Sequence, residues 1–177
     1  MTSLSANSPS KDLNFTMKLV SIEVHNFKSF SGQASAAEDG SHIIGPFTRF
    51  TGIIGPNGVG KSNIFDAIAF ALNLQLAPGK ARHARELAHI PKPLVSQIGS
   101  DQPDPEQEFW VKLNLLKVFS GEQKTEKMSL QRGLKKREAQ DGTSSFYNEY
   151  IVNEDEERPL LFEEYKQLLH AVLGLDV

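Results

Sequence analysis

Eight residues, Gly55-Pro56-Asn57-Gly58-Val59-Gly60-Lys61-Ser62, constrain this chain more than any other stretch. They follow the pattern Gly, four variable residues, Gly, Lys, Ser or Thr, and each fixed position has a mechanical reason. Gly58 and Gly60 let the backbone turn tightly, so that successive N–H groups point inward as a nest for an anion. A helix starting at the end of the loop adds its N-terminal dipole and unpaired amides. Lys61 is then placed for the β- and γ-phosphates of a nucleoside triphosphate, and the Ser62 hydroxyl for Mg²⁺. The expected ligand is ATP with Mg²⁺.

The flanking residues support a strand–loop–helix unit. Phe50-Thr51-Gly52-Ile53-Ile54 is mostly apolar and β-branched, which predicts a strand buried on both faces. Ser62 to Leu72 is apolar nearly all round, so the helix it predicts should be sandwiched inside the domain. Upstream, Val20, Ile22 and Val24 alternate with polar residues and predict a half-buried strand over Lys18 to His25. Ile43-Ile44-Gly45-Pro46 ends another short strand.

Downstream, Phe109 to Phe119 alternates as a strand. Met128 to Leu134 and Phe146 to Val152 predict two more, joined by a charged connection from Lys135 to Gly142. Pro159 precedes a helix carrying Leu161, Phe162, Tyr165, Leu168, Leu169 and Val172, closed by Gly174. Met1 to Thr16, rich in Ser and Asn without a period, reads as a disordered extension. Residues 33–40 and 99–108 read as loops, and 80–89 as a basic segment with a helical turn.

Composition bounds the function. The chain has 177 residues, enough for one domain with a real core, and is 39% hydrophobic and 23% charged, as in an ordinary globular protein. A net charge of −3 gives no global case for nucleic-acid binding, so any such surface must be local. Without cysteine there is no disulfide and no thiolate metal site. No apolar run is long enough to cross a bilayer, and an intracellular, reducing compartment is the expectation.

The run from Arg49 through the loop to Ile68 is longer than a generic phosphate-binding motif. It resembles the Walker A region of the structural-maintenance-of-chromosomes (SMC) ATPases. Val24-His25-Asn26-Phe27-Lys28-Ser29-Phe30 resembles that family's opening motif, and Ile44-Gly45-Pro46-Phe47 is most like the first SMC subunit of cohesin. Arg85-Glu86-Leu87-Ala88-His89 falls where the family has a short Arg-containing segment. The likeness is dense from Met17 to His89, and thinner but in order at Glu149-Tyr150-Ile151-Val152-Asn153 and Leu173-Gly174-Leu175. Val59 replaces a usual serine, removing a hydroxyl but no backbone donor; Asn73 replaces a usual glycine at a helix end.

The resemblance implies an α/β fold, a P-loop NTPase of the ABC-ATPase type, with a central sheet and a β-rich arm. Residues 17–177 would form the N-terminal part of an ATPase head. It implies that Lys28 approaches the nucleotide, with a solvated turn lysine as the alternative. Asn57 and Asn63 are candidates to contact phosphate and to cap the helix. It further implies a C-terminal head lobe, a second SMC subunit, a kleisin and DNA as partners, in ATP-dependent head engagement for chromosome organisation and sister-chromatid cohesion in the nucleus. An acidic strand end for Mg²⁺ and a Leu-Ser-Gly-Gly signature are not present after Phe109. The family carries both in its C-terminal lobe, and its glutamine loop would come just after Val177. On that expectation the chain binds nucleotide weakly and turns over almost none alone.

Other features are weaker. Lys80, Arg82, His83, Arg85 and His89 form a basic cluster, read equally as a DNA-facing surface or a solvated loop. Arg132, Lys135, Lys136 and Arg137 read as a solvated hairpin tip, with DNA contact as the minor alternative. The acidic stretches 101–108 and 154–157 read as solvated loops, and Trp110 and Tyr165 as packing residues. A G protein would need Asn-Lys-x-Asp, which is absent; a small kinase cannot be placed. A RecF- or RecN-like repair ATPase, a transporter nucleotide-binding domain, and a non-enzymatic interaction fragment remain as rival readings.

Overall fold

Apolar residues at a period of two generate the sheet. In the computed structural model, which describes residues 15–31, 38–76, 84–89, 108–121 and 123–177, β1 (Phe15–His25) buries Ile22 and Val24. β3 (Phe109–Phe119) buries Phe109, Val111, Leu113 and Leu115 on the same face, and the polar residues between them face outward. With β2 (His42–Ile44), β4 (Thr125–Glu138) and β5 (Ser144–Val152) they form a five-stranded sheet ordered β2-β1-β3-β4-β5. Every neighbouring pair in it is antiparallel.

Two helices complete the described structure. α1 (Lys61–Ala71) lies on the buried face of the sheet and contributes Ile64, Ala67, Phe70 and Ala71 to the core. Phe27, Phe70 and Phe109 meet there as a tilted triad with ring centroids 5.3–5.8 Å apart, a geometry aromatic quadrupoles favour. α2 (Phe162–Leu173) buries Tyr165 and Leu169, and ends at Gly174 in the left-handed conformation that lets the chain leave a helix.

The strands outrun their sequence-based bounds. β1 begins at Phe15, three residues before the expected Lys18, and takes Phe15 and Thr16 out of the expected disordered extension Met1 to Thr16, because they pair with Phe119 and Val118. β4 and β5 extend toward each other up to the Glu138–Ser144 pair, so the first half of the expected connection over Lys135 to Gly142 is strand. Charged residues do not break a strand whose faces are solvated at the hairpin end.

Two expectations fail. Residues 51–56 form no strand: Phe50 and Ile54 are 90% and 97% exposed, and no sheet neighbour pairs with them among the described residues. A β-branched run becomes a strand only when a neighbour takes its amides and carbonyls. Nor is α1 covered all round, since Phe65 on its outer face is 65% exposed.

Arg132 is the third correction. It is no part of a solvated tip: its guanidinium lies over the Phe70 ring at 4.3 Å and donates to Phe70 O at 3.0 Å and Asn73 Oδ1 at 2.8 Å. Burial holds its pKa below the usual guanidinium range. The fully buried Tyr165 donates to Ala71 O at 2.7 Å, and burial raises its pKa. The last carbonyls of α1 are therefore met by side chains from β4 and α2.

Midway along its length α1 is fixed by charge. Asp66, buried on the core side of the helix, accepts from Lys28 Nζ at 2.7 Å, with both side chains largely out of water. Removing one partner of a buried pair strands the other. Asp66→Ala should cost about 3 kcal/mol in urea unfolding. Tyr165→Phe, which loses one buried hydrogen bond without changing shape, should cost about 1 kcal/mol.

Candidate nucleotide-binding site

The loop Gly55–Ser62 occupies the position its sequence predicts, running directly into the first turn of α1. Gly58 (φ 85°) and Gly60 (φ 95°) both adopt the left-handed region, which a side chain would strain. Gly60 is also the N-cap of α1, and it carries a second constraint: a Cβ there would collide with Ser29 Oγ. The N-terminus of α1 has no side-chain cap and no acidic residue in its first turn. Its dipole and amide ends are thus uncontested by the protein's own anions.

Lys61 folds back over the loop. Its ammonium donates to Gly55 O at 2.6 Å and to Pro56 O, so it sits against the mouth of the cradle on neutral carbonyls, without a carboxylate counter-ion among the described residues. Ser62 is exposed at the helix start and Val59 is 58% exposed at the loop tip. These residues fit a triphosphate with Mg²⁺: two left-handed glycines, an open helix N-terminus, one cation held on neutral carbonyls and one hydroxyl. Gly55, Pro56, Asn57, Gly58, Val59, Gly60, Lys61 and Ser62 would line it.

The opening-motif turn supports the loop from behind. Asn26 and Lys28 both adopt positive φ, 47° and 50°. The Lys28 amide donates to Leu87 O at 2.7 Å, and its carbonyl lies 2.5 Å from His89 Nδ1. These contacts tie the turn to the short 3₁₀ turn Ala84–Leu87. With its ammonium on Asp66, Lys28 joins three segments; contact with a bound phosphate would require exchange of that ion pair. Asn63 does not cap α1, since its amide donates to Ser29 Oγ at 2.8 Å instead.

Of the basic cluster, Lys80, Arg82 and His83 lie outside the described residues. Arg85 is exposed on the 3₁₀ turn, with its guanidinium 4.4 Å over the Phe146 ring. Among the described residues no group of three or more His, Cys, Asp or Glu is arranged to hold a metal. No helix there is long and apolar enough to cross a membrane.

Sequence reasoning missed Asp66, Ser29 and Arg132. A signal existed for Asp66: one carboxylate inside an otherwise apolar helix demands a partner if that face is buried. For Ser29, only the fold brings a residue from 34 positions away against Asn63.

Comparison with known proteins agrees with this geometry. Residues 18–172 match the family model described as RecF/RecN/SMC N terminal domain. Structural maintenance of chromosomes protein 1 of Caenorhabditis elegans is 45% identical over 82 residues, which is 45% of this chain and 6% of that protein. The protein of the same name from Schizosaccharomyces pombe is 35% identical over 114 residues, 64% of this chain and 9% of that one. Chromosome partition protein Smc of Mesomycoplasma hyorhinis is 33% identical over 152 residues, 86% of this chain and 13% of its own length. This chain therefore spans a small part of the relatives it matches. With the family model covering most of its length and the P-loop seated at the start of α1, the chain belongs to the RecF/RecN/SMC N-terminal domain family, in its SMC branch.

Proposed function

We propose that this chain is the ATP-binding half of an SMC head. Gly55 to Ser62 would hold ATP, and Ser62 would ligate Mg²⁺. One observation carries the reading: an uncapped helix N-terminus behind two left-handed glycines, with Lys61 parked on neutral carbonyls. When bound, Mg²⁺ neutralises phosphate charge; the chain's own residues bind and orient the anion.

A complete head would need a second lobe. Phe50, Ile54 and Phe65 leave apolar surface exposed around the loop, and a C-terminal head lobe would cover it. That lobe would bring the acidic strand end and the signature segment. The composite head would engage a second SMC subunit when ATP is bound and release it on hydrolysis, with a kleisin and DNA as further partners. The relatives are named for the structural maintenance of chromosomes and for chromosome partition. Work on nuclear chromosomes, and sister-chromatid cohesion in particular, extends that naming to this chain.

Titration calorimetry with ATP and Mg²⁺ on the folded chain tests the first step. Lys61→Ala should weaken binding at least tenfold, about 1.4 kcal/mol, with an unchanged unfolding midpoint. Ser62→Ala should abolish the enhancement by Mg²⁺ and leave metal-free binding nearly as it was. The chain alone should turn over almost no ATP, and turnover should appear on mixing with a C-terminal head lobe. Binding that survives Lys61→Ala undiminished would refute the reading.

A further inference from the structure

Arg132 is a charge without a counter-charge. Its guanidinium lies between the rings of Phe70 and Tyr150, 4.3 and 5.7 Å from their centroids. Its hydrogen-bond acceptors, Phe70 O, Asn73 Oδ1 and Asn148 Oδ1, are all neutral. Among the described residues no carboxylate lies within ion-pair distance of it, and its buried Nε has no partner. Withdrawing a guanidinium from water without an anion is costly, and a ligand that supplies one recovers part of that cost.

The same guanidinium lines an open cleft of about 460 Å³. Asn73, Asn148 and Tyr150 form its polar wall, and Leu161 and Phe162 its apolar rim. Leu161 is 72% exposed, far more than an aliphatic side chain at a helix start needs to be. Among the described residues no acidic side chain lines the cleft. At its exposed end, the Nη2 contact to Asn148 is the longest of the three, at 3.3 Å. Nη1 is taken by Phe70 O and Asn73 Oδ1 and Nε is buried, so Nη2 is the donor that an incoming carboxylate can take, with one charge-assisted hydrogen bond in place of the long Asn148 contact.

We propose that this cleft docks a peptide segment of a protein partner. The segment presents one Asp or Glu side chain to Arg132 and lays a neighbouring apolar side chain on Leu161 and Phe162. Duplex nucleic acid fits worse. Glu163 and Glu164 stand in the first turn of α2 and Glu156 and Glu157 precede it, so a polyanion meets repulsion that one short carboxylate avoids. An apolar rim also offers nothing to a phosphate backbone.

The probe is a capped heptapeptide with one aspartate between a leucine and a phenylalanine in a glycine–serine background, titrated into the full chain and followed by amide NMR shifts. Saturable binding is expected, with shifts centred on Asn148, Leu161 and Phe162. The asparagine version of the peptide should bind at least tenfold more weakly. Asn148→Asp is the decisive variant: its carboxylate takes the Arg132 edge from within, so peptide binding should fall at least tenfold while the urea midpoint holds or rises. Leu161→Ser should also weaken binding, and Lys61→Ala should leave it unchanged, which separates this site from the nucleotide site. The proposal is overturned by no saturable binding, by equal affinity for the asparagine peptide, or by full binding to Asn148→Asp. A short DNA duplex that binds this cleft in place of the peptide, and is lost in Asn148→Asp, overturns it as well.

Discussion

The ion pair between Lys28 and Asp66 sets the frame on which everything else is hung. It joins the turn after β1 to the inner face of α1, and α1 begins at the phosphate loop. A buried pair is geometrically demanding, because neither charge can relax toward water if the other shifts. The loop is therefore held by the same contact that fixes the helix axis. The Lys28 amide's bond to Leu87 O and the contact of its carbonyl with the His89 ring extend this joint to a third segment. Residues remote in sequence thus share one point of attachment beside the candidate site.

Opposite ends of α1 are secured by different chemistry. The N-terminal end is left without a side-chain cap, as an anion site requires, whereas Arg132 and Tyr165 occupy carbonyls at the other. Asn73 takes a left-handed conformation (φ 54°) just past the helix and offers its side-chain oxygen to Arg132. A glycine there would satisfy the backbone but not the guanidinium. The asparagine serves both.

Much of this was legible in the residues. The phosphate loop, β3 and the end of α2 at Gly174 followed from spacing and turn chemistry alone, because those signals are local. The Phe50–Ile54 run was misjudged for the opposite reason: a strand's burial depends on neighbours that its own sequence does not specify. Arg132 was misjudged because a basic run gives no sign of which member points inward. Alternation along β4 hints at it, since Leu130 and Leu134 are buried with Arg132 between them on the same face of the strand. Its aromatic and carbonyl partners come from α1 and β5, and only the assembled fold brings them together.

The crowding of Ser29 against Gly60 places two separate demands on one position. An asparagine tolerates left-handed backbone in many turns, yet here it would still meet the serine oxygen. Trimming residue 29 to glycine would relieve the steric half and leave the torsional half in place. A side chain at position 60 therefore meets a strained torsion and, in addition, a Ser29 hydroxyl that must leave its bond to Asn63 to make room, so that change in the phosphate loop is felt in the opening turn.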